Sequence, residues 1–301
     1  MPAVAAAAAA AAAEPPRVQK WDNGLTLIHD FISPEQEAAI ISAFHEDHRP
    51  SSLAATTAAA ATEAASKKRL SQHFGFHFDY TTFGASETVF TPLPGYMDDI
   101  LARLPVRGDG LPDQFTVQYY PPGAGIPPHV DTHSLFGEAL YSLSLGSAVP
   151  IKFRRCGARD ARRMRLPKRS LAASKPNEKE ERETSTTTSP LPTTAPEASD
   201  AGDDAEDAAG DEMELFLPPR SLLLMMGPAR YGYTHGIRAR KTDVVAGRTV
   251  ARTGRYSITM RSVKRGAGIG CACDFPGVCD ARIAEEEEEE AARASKDKSL
   301  S

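Results

Sequence analysis

The sequence has few cysteines and no long apolar run. Its 301 residues include four cysteines, too few for a disulfide framework in a chain of this size. No stretch of eighteen apolar residues occurs, so we expect no transmembrane helix. The alanine-rich N-terminal stretch lacks a basic region before it and has little arginine, so neither a signal peptide nor a transit peptide is predicted. We therefore expect an intracellular protein without a membrane partner, located in the cytoplasm and also in the nucleus.

Low-complexity segments divide the chain. Residues 1–20 are predicted to be a disordered alanine-rich tail. Residues 51–66 are rich in Ala, Thr and Ser, and residues 157–213 change from basic through Ser/Thr/Pro to acidic. Such segments bury too little apolar surface to fold, so both are predicted to be disordered insertions. The acidic tail, 284–301, contains six consecutive glutamates and is predicted to be solvated and to begin as a helix. One folded domain, residues 21–283, remains.

The folded part changes from helical to β-rich patterns along the chain. Ser33 and Pro34 have the residue types of a helix N-cap and first helical position, and "LPGYMDDILARLP" predicts a second, short helix. Gly and Pro turns then separate apolar segments typical of strands, among them "FTVQYY", "ALYSLSLGS", "VPIKFRR" and "TGRYSITMRSV". Many strands after a helical N-terminal part predict an α+β protein, in which a double-sheet β-fold is supported by N-terminal helices.

Three residues have the pattern of a mononuclear metal site. His129 and Asp131 stand two apart, which on a strand places both side chains on one face. His235 follows much later in "YGYTHGI". Two imidazoles and a carboxylate on one side of a metal leave its other positions open, which suits iron(II) that must bind a chelating co-substrate and oxygen. An isolated His-x-Asp triplet arises mostly by chance, so a core or surface role for each histidine is the alternative.

A polar stripe follows His235 in "RYSITMR". Such a stripe is costly to bury without an anionic ligand, and the guanidinium of arginine matches the geometry of a carboxylate. A dicarboxylate such as 2-oxoglutarate would satisfy it. The alternative is that the stripe faces water and the residues between its members face the core. Four residues point to the same side of the predicted strand: Arg255, Ser257, Thr259 and Arg261.

Three of the four cysteines crowd together near the C-terminus, at Cys271, Cys273 and Cys279. This spacing suggests a metal site before it suggests disulfides, because a C-x-C pair with a third cysteine six residues on can wrap one ion. Unpaired thiols on a loop are the alternative. Cys156 is predicted to be an unliganded thiol.

The C-terminal half of the predicted domain is basic. Between Glu214 and Ile283 there are twelve Lys or Arg and four Asp or Glu, a balance that suits a polyanionic partner. A merely solvated surface is the alternative. The predicted nucleic-acid contacts lie before "HFGFHF" and after His235: Lys68, Arg69, Arg238, Arg240 and Lys241.

Together these motifs resemble the AlkB family of Fe(II)/2-oxoglutarate-dependent dioxygenases. The segments "QYYPPG", "HVD", "THGI" and "RYSITMR" stand in the order of that family's pattern. "GIPPHVDTHSLF", "RYGYTHGI" and "CACDFPGVCD" are similar to its AlkB homologue 8 branch, which is associated with wobble-uridine modification of tRNA. The resemblance implies a double-stranded β-helix, or jelly-roll, core.

The resemblance also implies the cofactors and the residues that hold them. Iron(II) would be bound by His129, Asp131 and His235, with 2-oxoglutarate and O₂ as co-substrates. Arg255 would pair with the distal carboxylate of 2-oxoglutarate. A structural zinc would be bound by one histidine beyond the iron aspartate and by the three clustered cysteines. The further residues implied are Arg261, Tyr120 and Gln118 for the co-substrate, where Gln118 replaces the family's usual Asn, and His133, Cys271, Cys273 and Cys279 for zinc.

The function implied is hydroxylation of a modified wobble uridine, 5-methoxycarbonylmethyluridine, in tRNA. Two alternatives stay open: an oxidative N-demethylase of alkylated bases in RNA or DNA, and a non-catalytic, zinc-stabilised RNA-binding module. The expected partners are tRNA and a separate tRNA methyltransferase.

Overall fold

The computed structural model describes residues 16–47, 69–79, 84–105, 110–157, 160 and 212–299. The predicted insertion at 51–66 and most of the one at 157–213 lie outside these residues. Within them, no helix combines the length and the apolar character needed to span a membrane.

The described residues form strands joined by a few helices. The helices are α1 Pro34–Asp47, α2 Tyr96–Arg103, α3 Gly227–Tyr231 and α4 Asp280–Ser299. The strands are β1 Val18–Lys20, β2 Leu25–Ile28, β3 Leu70–Asp79, β4 Gly84–Thr91, β5 Gln114–Tyr120, β6 Ile126–His129, β7 Leu140–Gly146, β8 Val149–Arg155, β9 Glu212–Leu217, β10 Ser221–Met225, β11 Tyr233–Ile237, β12 Thr242–Val245, β13 Arg248–Ala251 and β14 Arg255–Arg261.

Two antiparallel sheets carry the fold. Among the described residues, eight strands form the larger sheet in the order β1-β2-β10-β7-β14-β5-β3-β4, and four form the smaller one in the order β6-β11-β8-β9. One apolar cluster lies between the sheets and joins residues such as Leu223 of β10 to Phe153 of β8. A second cluster packs Phe44 of α1 and Ile100 of α2 on the other face of the larger sheet. The predicted α+β jelly-roll with supporting N-terminal helices is confirmed.

The local start of α1 follows from its first residues. Ser33 Oγ accepts a hydrogen bond from the Gln36 amide at 3.2 Å, and Gln36 Oε1 accepts one from the Ser33 amide at 3.0 Å. These reciprocal bonds satisfy donors that a helix start otherwise leaves unpaired. The predicted N-cap at Ser33 is confirmed, and α1 turns Ile40 and Phe44 onto the sheet.

Three ends of the predicted disordered segments differ from the structure. Val18–Lys20 pairs with β2, so the ordered part begins inside the predicted tail 1–20. The strand β9 begins at Glu212, and Asp160 is buried, where it accepts hydrogen bonds from Arg154 and the Gly157 amide. The predicted insertion 157–213 is therefore too wide at both ends, because composition does not register the contacts of single residues, whether with near neighbours, as for Asp160, or across strands, as for Glu212. The acidic segment does begin as a helix, within α4.

Candidate metal centres and anion pocket

The strands β6 and β11 bring the first candidate cluster together. His129 and His235 are direct partners across this antiparallel pair, and their ring centroids lie 4.3 Å apart. Gly236 makes the close approach possible, because a Cβ atom at this position would lie 2.9 Å from the Ile126 carbonyl oxygen. The glycine of the "THGI" motif is thus explained by the space between the strands.

The three side chains converge with their ligand atoms within 4.8 Å of one another. His129 Nδ1 lies 3.0 Å from the Pro127 carbonyl oxygen, to which it donates, so that Nε2 is left for a metal. Asp131 Oδ1 accepts from Arg261 Nε and Nη2 at 3.0 and 2.9 Å. Asp131 Oδ2 faces His235 Nε2 at 3.6 Å. Each ligand therefore presents one atom to a common point.

The protonation states suit a cation. Burial, together with the charge of His129, lowers the pKa of His235 to about 3. Burial would raise the pKa of Asp131, but the charges of Arg261 and the two histidines outweigh it and hold the pKa below its usual range. At neutral pH His235 is neutral and Asp131 is ionised, which is the state that a metal requires. Two nitrogens and one oxygen on one side fit a non-haem iron(II) centre.

Arg255, the first residue of β14, pairs with no carboxylate among the described residues. It is 4 % exposed and donates to Ser144 Oγ at 3.1 Å, and its Nε and Nη1 have no hydrogen-bond partner in the part of the chain that the structure describes. Burial lowers its pKa to about 10. A buried guanidinium with donors to spare is costly unless an anion binds it. The prediction that the polar stripe is buried holds for Arg255, Ser257 and Arg261, so the water-facing alternative is wrong.

A small cavity opens against Arg255 and is walled by residues of both sheets and the loop after β5. The Arg255 guanidinium carbon lies 5.4 Å from the Tyr120 ring centroid, and the Tyr120 hydroxyl donates to Gln118 Oε1. The predicted co-substrate residues Arg255, Tyr120 and Gln118 thus adjoin one another. The lining residues include Ile126, Val149, Ile237 and Arg252.

Arg252, on the same cavity, differs from Arg255. Its Nε and Nη2 donate to the buried carboxylate of Asp243 at 2.6 and 2.9 Å, so its charge is compensated. Arg261, which we predict to help hold the co-substrate, donates to Asp131 and also to Gln114 Oε1 at 3.0 Å. Sequence reasoning missed Gln114, although its even spacing from Gln118 and Tyr120 places it on the same face of β5.

The second cluster joins His133 to the three C-terminal cysteines. Their ligand atoms lie within 4.8 Å of one another, and Cys273 Sγ is 3.5 Å from His133 Nδ1. His133 and Cys279 have no exposed surface, and His133 Nε2 is buried without a partner. Burial raises the pKa of Cys279 to about 12 and that of Cys273 above its usual value, and it lowers the pKa of His133 to about 4.

Three sulfurs and one nitrogen around a common point fit a closed tetrahedral zinc site. Crowded buried thiols become ligands only when a cation stabilises their thiolates. Cys156 lies outside this cluster, and burial raises the pKa of its thiol to about 11, in keeping with an inert, unliganded role.

The residues predicted to contact nucleic acid have different surroundings. Lys68 lies outside the described residues. Arg69 Nη2 donates to the Tyr120 hydroxyl at 3.4 Å, and Arg240 Nε pairs with Asp243 at 2.5 Å. Exposed side chains at the start of the β12–β13 hairpin are those of Arg238 and Lys241.

Comparison with known proteins gives one family model and several relatives. The model described as the 2OG-Fe(II) oxygenase superfamily matches residues 24–261. A Xenopus tropicalis protein, tRNA (carboxymethyluridine(34)-5-O)-methyltransferase alkbh8, is 30% identical over 88% of this chain and 35% of its own length. The Arabidopsis thaliana "Alkylated DNA repair protein ALKBH8 homolog" is 30% identical over 86% of this chain and 63% of its own.

The chain thus spans about a third of the frog relative and less than two thirds of the plant relative. A mouse relative, alpha-ketoglutarate-dependent dioxygenase alkB homolog 4, is 27% identical over 72% of this chain and 63% of its own length. The solved structure of OsALKBH1 aligns with a TM-score of 0.46 at 14% identity, covering 82% of this chain and 100% of that one.

Proposed function

Because the chain belongs to the 2OG-Fe(II) oxygenase superfamily, on the AlkB homologue 8 branch of the AlkB family, we propose that this dioxygenase hydroxylates 5-methoxycarbonylmethyluridine at the wobble position of tRNA. Family membership implies iron(II), 2-oxoglutarate and O₂. The observation that carries the proposal is an open cluster of two imidazoles and a carboxylate whose strands β6 and β11 also line a cavity that contains the unpartnered guanidinium of Arg255.

In this proposal His129, Asp131 and His235 hold the iron. When bound, iron(II) supplies the activation of O₂ that lets a substrate C–H bond be oxidised at the expense of 2-oxoglutarate. The protein residues orient the metal ligands and exclude water. Arg261 fixes one oxygen of Asp131, so that the other is left for the metal. Pro127 fixes the ring of His129 through its carbonyl oxygen.

The proposed co-substrate pocket lies between the sheets. Arg255 would pair with the distal carboxylate of 2-oxoglutarate through its unpartnered nitrogens, and Tyr120, Gln118 and Arg261 would complete the binding site. The longer amide of Gln118 stands where the family has Asn, and its bond with the Tyr120 hydroxyl supports a shared role. The apolar walls of the cavity would keep water from the reacting centre.

We propose that His133, Cys271, Cys273 and Cys279 bind a structural zinc. Four protein ligands leave no open position for chemistry, so this metal would stabilise the fold. Removing it with a chelator is expected to lower the unfolding temperature, measured by calorimetry. The variant Cys156→Ser, whose thiol lies outside the cluster, should keep both its zinc and its unfolding temperature.

The proposed substrate is a polyanion that presents one unstacked base. Exposed cations at Arg238 and Lys241 would contact its phosphates, whereas Arg240 is held by Asp243 and serves the protein itself. The frog relative is named a tRNA methyltransferase. Because the proposed substrate carries a methyl ester, a separate tRNA methyltransferase is proposed as the partner that makes it.

Nucleoside mass spectrometry tests the proposal. The protein is incubated with iron(II), 2-oxoglutarate, ascorbate and tRNA that carries 5-methoxycarbonylmethyluridine. Gain of one oxygen on that nucleoside is the expected result. Loss of a methyl group from another base would instead support the N-demethylase, which the plant relative's DNA-repair name favours. Equal inactivity of the wild type and His129→Ala would support the non-catalytic, zinc-stabilised RNA-binding module.

A further inference from the structure

Four consecutive residues connect the two candidate metal centres. Asp131 belongs to one cluster and His133 to the other, and Thr132 separates them. We call residues 131–134 the ligand strap. Any movement of its backbone would displace one ligand from each centre at the same time. The inference below rests on the proposed function, because it takes both clusters to be metal sites.

Arg230 holds one side of the ligand strap. Its Nη1 donates to the Asp131 carbonyl oxygen at 2.9 Å, and its Nη2 donates to the Thr132 carbonyl oxygen at 2.6 Å. The side chain is 2 % exposed, and its guanidinium carbon lies 4.8 Å from the Tyr231 ring centroid. The Tyr231 ring in turn meets His133 edge-on, with centroids 5.0 Å apart. Arg230 therefore bonds the backbone of Asp131, a ligand of the first centre. It also stacks on Tyr231, which contacts His133, a ligand of the second centre.

The other side of the ligand strap is held by residues from the C-terminal part. Asp280, the first residue of α4, accepts hydrogen bonds from the amides of His133 and Ser134 at 2.8 and 3.1 Å and from the Ser134 hydroxyl. Lys264 Nζ donates to the His133 carbonyl oxygen at 3.3 Å. Arg230, Asp280 and Lys264 thus fix consecutive backbone groups of the ligand strap. These backbone groups carry the ligands and do not bind metal themselves.

The guanidinium of Arg230 is costly to bury. No carboxylate oxygen accepts a hydrogen bond from it among the described contacts, and its Nε is buried without a partner. A stabilising role alone would favour an apolar side chain of similar volume, because a buried charge offsets its desolvation only through well-formed bonds. Both of its bonds go to the ligand strap, so its contribution is to fix that backbone.

We propose that Arg230 is a positioning residue shared by the two metal centres, which fixes the ligand strap so that one side chain sets the geometry of both. Partners that orient a ligand without touching the metal typically change metal affinity by about tenfold to a hundredfold when they are lost. A single substitution here should therefore weaken both sites, although it removes no ligand from either.

The test measures each site separately in full-length protein. Manganese(II) binding at the first centre is followed by electron paramagnetic resonance, with His129→Ala to identify the signal. Zinc release to a chromogenic chelator is timed for the second centre. Arg230→Met should weaken manganese binding and accelerate zinc release, each by about tenfold. Arg230→Lys, which keeps the charge but lacks the planar fork that reaches both carbonyl oxygens, should fall between the wild type and Arg230→Met.

Arg103→Met is the matched control. The Arg103 guanidinium also donates to backbone carbonyl oxygens, those of Asp99 and Phe31, and stacks on a ring, but it lies on the helical layer. Both metal readouts should stay unchanged in this variant. Should Arg230→Met fail to fold, Arg230→Lys decides the question by the same two readouts.

The outcomes separate this inference from the function on which it rests. Unchanged manganese affinity and zinc release in a folded Arg230 variant, or a change at one centre alone, would overturn the shared role while leaving both metal sites in place. A wild-type protein that binds no manganese at His129, or holds no zinc, would overturn the proposed metal sites before any Arg230 variant is made.

Discussion

The two ligand clusters differ in number, in chemistry and in the elements that carry them. The first has two nitrogens and one oxygen on the paired strands β6 and β11 and the residue shortly after β6. The second has one nitrogen and three sulfurs on loops and a 3-10 turn before α4. Three ligands leave a metal open to small molecules, whereas four soft ligands close it. Under the proposed function, one cluster therefore serves reactivity and the other serves stability.

The surroundings sharpen this difference. The strands of the first cluster, β6 and β11, also line a cavity with a buried arginine that has donors to spare. Beside the second, Phe275 packs so closely on Gly232 that a Cβ atom there would lie 2.2 Å from the ring. The first environment is arranged to admit an anion and the second to exclude solvent. Substitutions at one cluster should therefore leave the properties of the other cluster unchanged.

The largest effect is expected from His129→Ala, which removes a ligand from the open cluster. Oxygen incorporation into tRNA should become undetectable, because two remaining ligands cannot hold iron in a defined geometry. Zinc content should stay at the wild-type level, and the free energy of unfolding should change by less than about 1 kcal/mol for this half-buried side chain. His29→Ala, a histidine bonded to Gln19 far from the site, is the control. Loss of zinc from His129→Ala would contradict the division.

Proton release on metal binding should also distinguish the clusters. Burial raises the pKa of Cys273 and Cys279, so their protons must leave when zinc binds, and zinc affinity should fall as pH falls. The three cysteine ligands bind zinc as thiolates, so at about three protons per zinc the affinity changes roughly a thousandfold per pH unit. In the open cluster Asp131 and His235 are deprotonated without a metal, so these two ligands release no protons. Competition titrations between about pH 6 and 8 should give a steeper slope for zinc than for manganese(II); equal slopes would contradict the argument.

Part of the site follows from residue parity in the sequence. The members of the polar stripe in β14 stand two apart, so an alternating strand places them on one face. Asp131 also stands two residues from His129, but β6 ends at His129, so the two ligands converge without the continuous strand that the spacing predicts. The structure brings His235 to His129 by direct pairing. Spacing alone does not supply this pairing, because it joins segments far apart in the chain. The order of motifs, through its resemblance to a family, supplies it instead.

The ligand strap shows where sequence reasoning ends. Arg230 in a five-residue helix and Asp280 before an acidic segment have the residue types of ordinary surface positions. Their roles depend on partners roughly a hundred or more residues away, and no local period encodes such contacts. The strand β1 was missed for a related reason, because three residues at a sheet edge are too few to show alternation. Local signals such as the Ser33 cap were predicted correctly because both partners lie within one turn.

The two arginines of the cavity allow a finer test of the open site. Arg255→Lys should raise the KM for 2-oxoglutarate by roughly tenfold to a hundredfold and change kcat less, because a charge-assisted hydrogen bond contributes about 1.5–3 kcal/mol. Arg252→Lys is the matched comparison. In the wild type the Arg252 guanidinium donates to Asp243, so Arg252→Lys should mainly lower the unfolding temperature. A larger rise in KM for Arg252→Lys than for Arg255→Lys would reverse the assignment of the anion site.

The smallest effect is expected at the surface that serves the open site. Arg238 is exposed where the chain leaves β11, the strand of His235, and each phosphate that a cation neutralises adds about 0.9 to the salt dependence of nucleic-acid binding. Arg238→Gln should weaken tRNA binding uniformly across sequences and reduce the slope of log affinity against log salt by about one. The control Lys20→Gln removes an exposed cation from β1. This strand is at an edge of the larger sheet, whereas Arg238 follows β11 of the smaller sheet. An equal loss of slope in both variants would mean that tRNA senses only the net charge of the protein, and the open cluster would then have no surface of its own for the substrate.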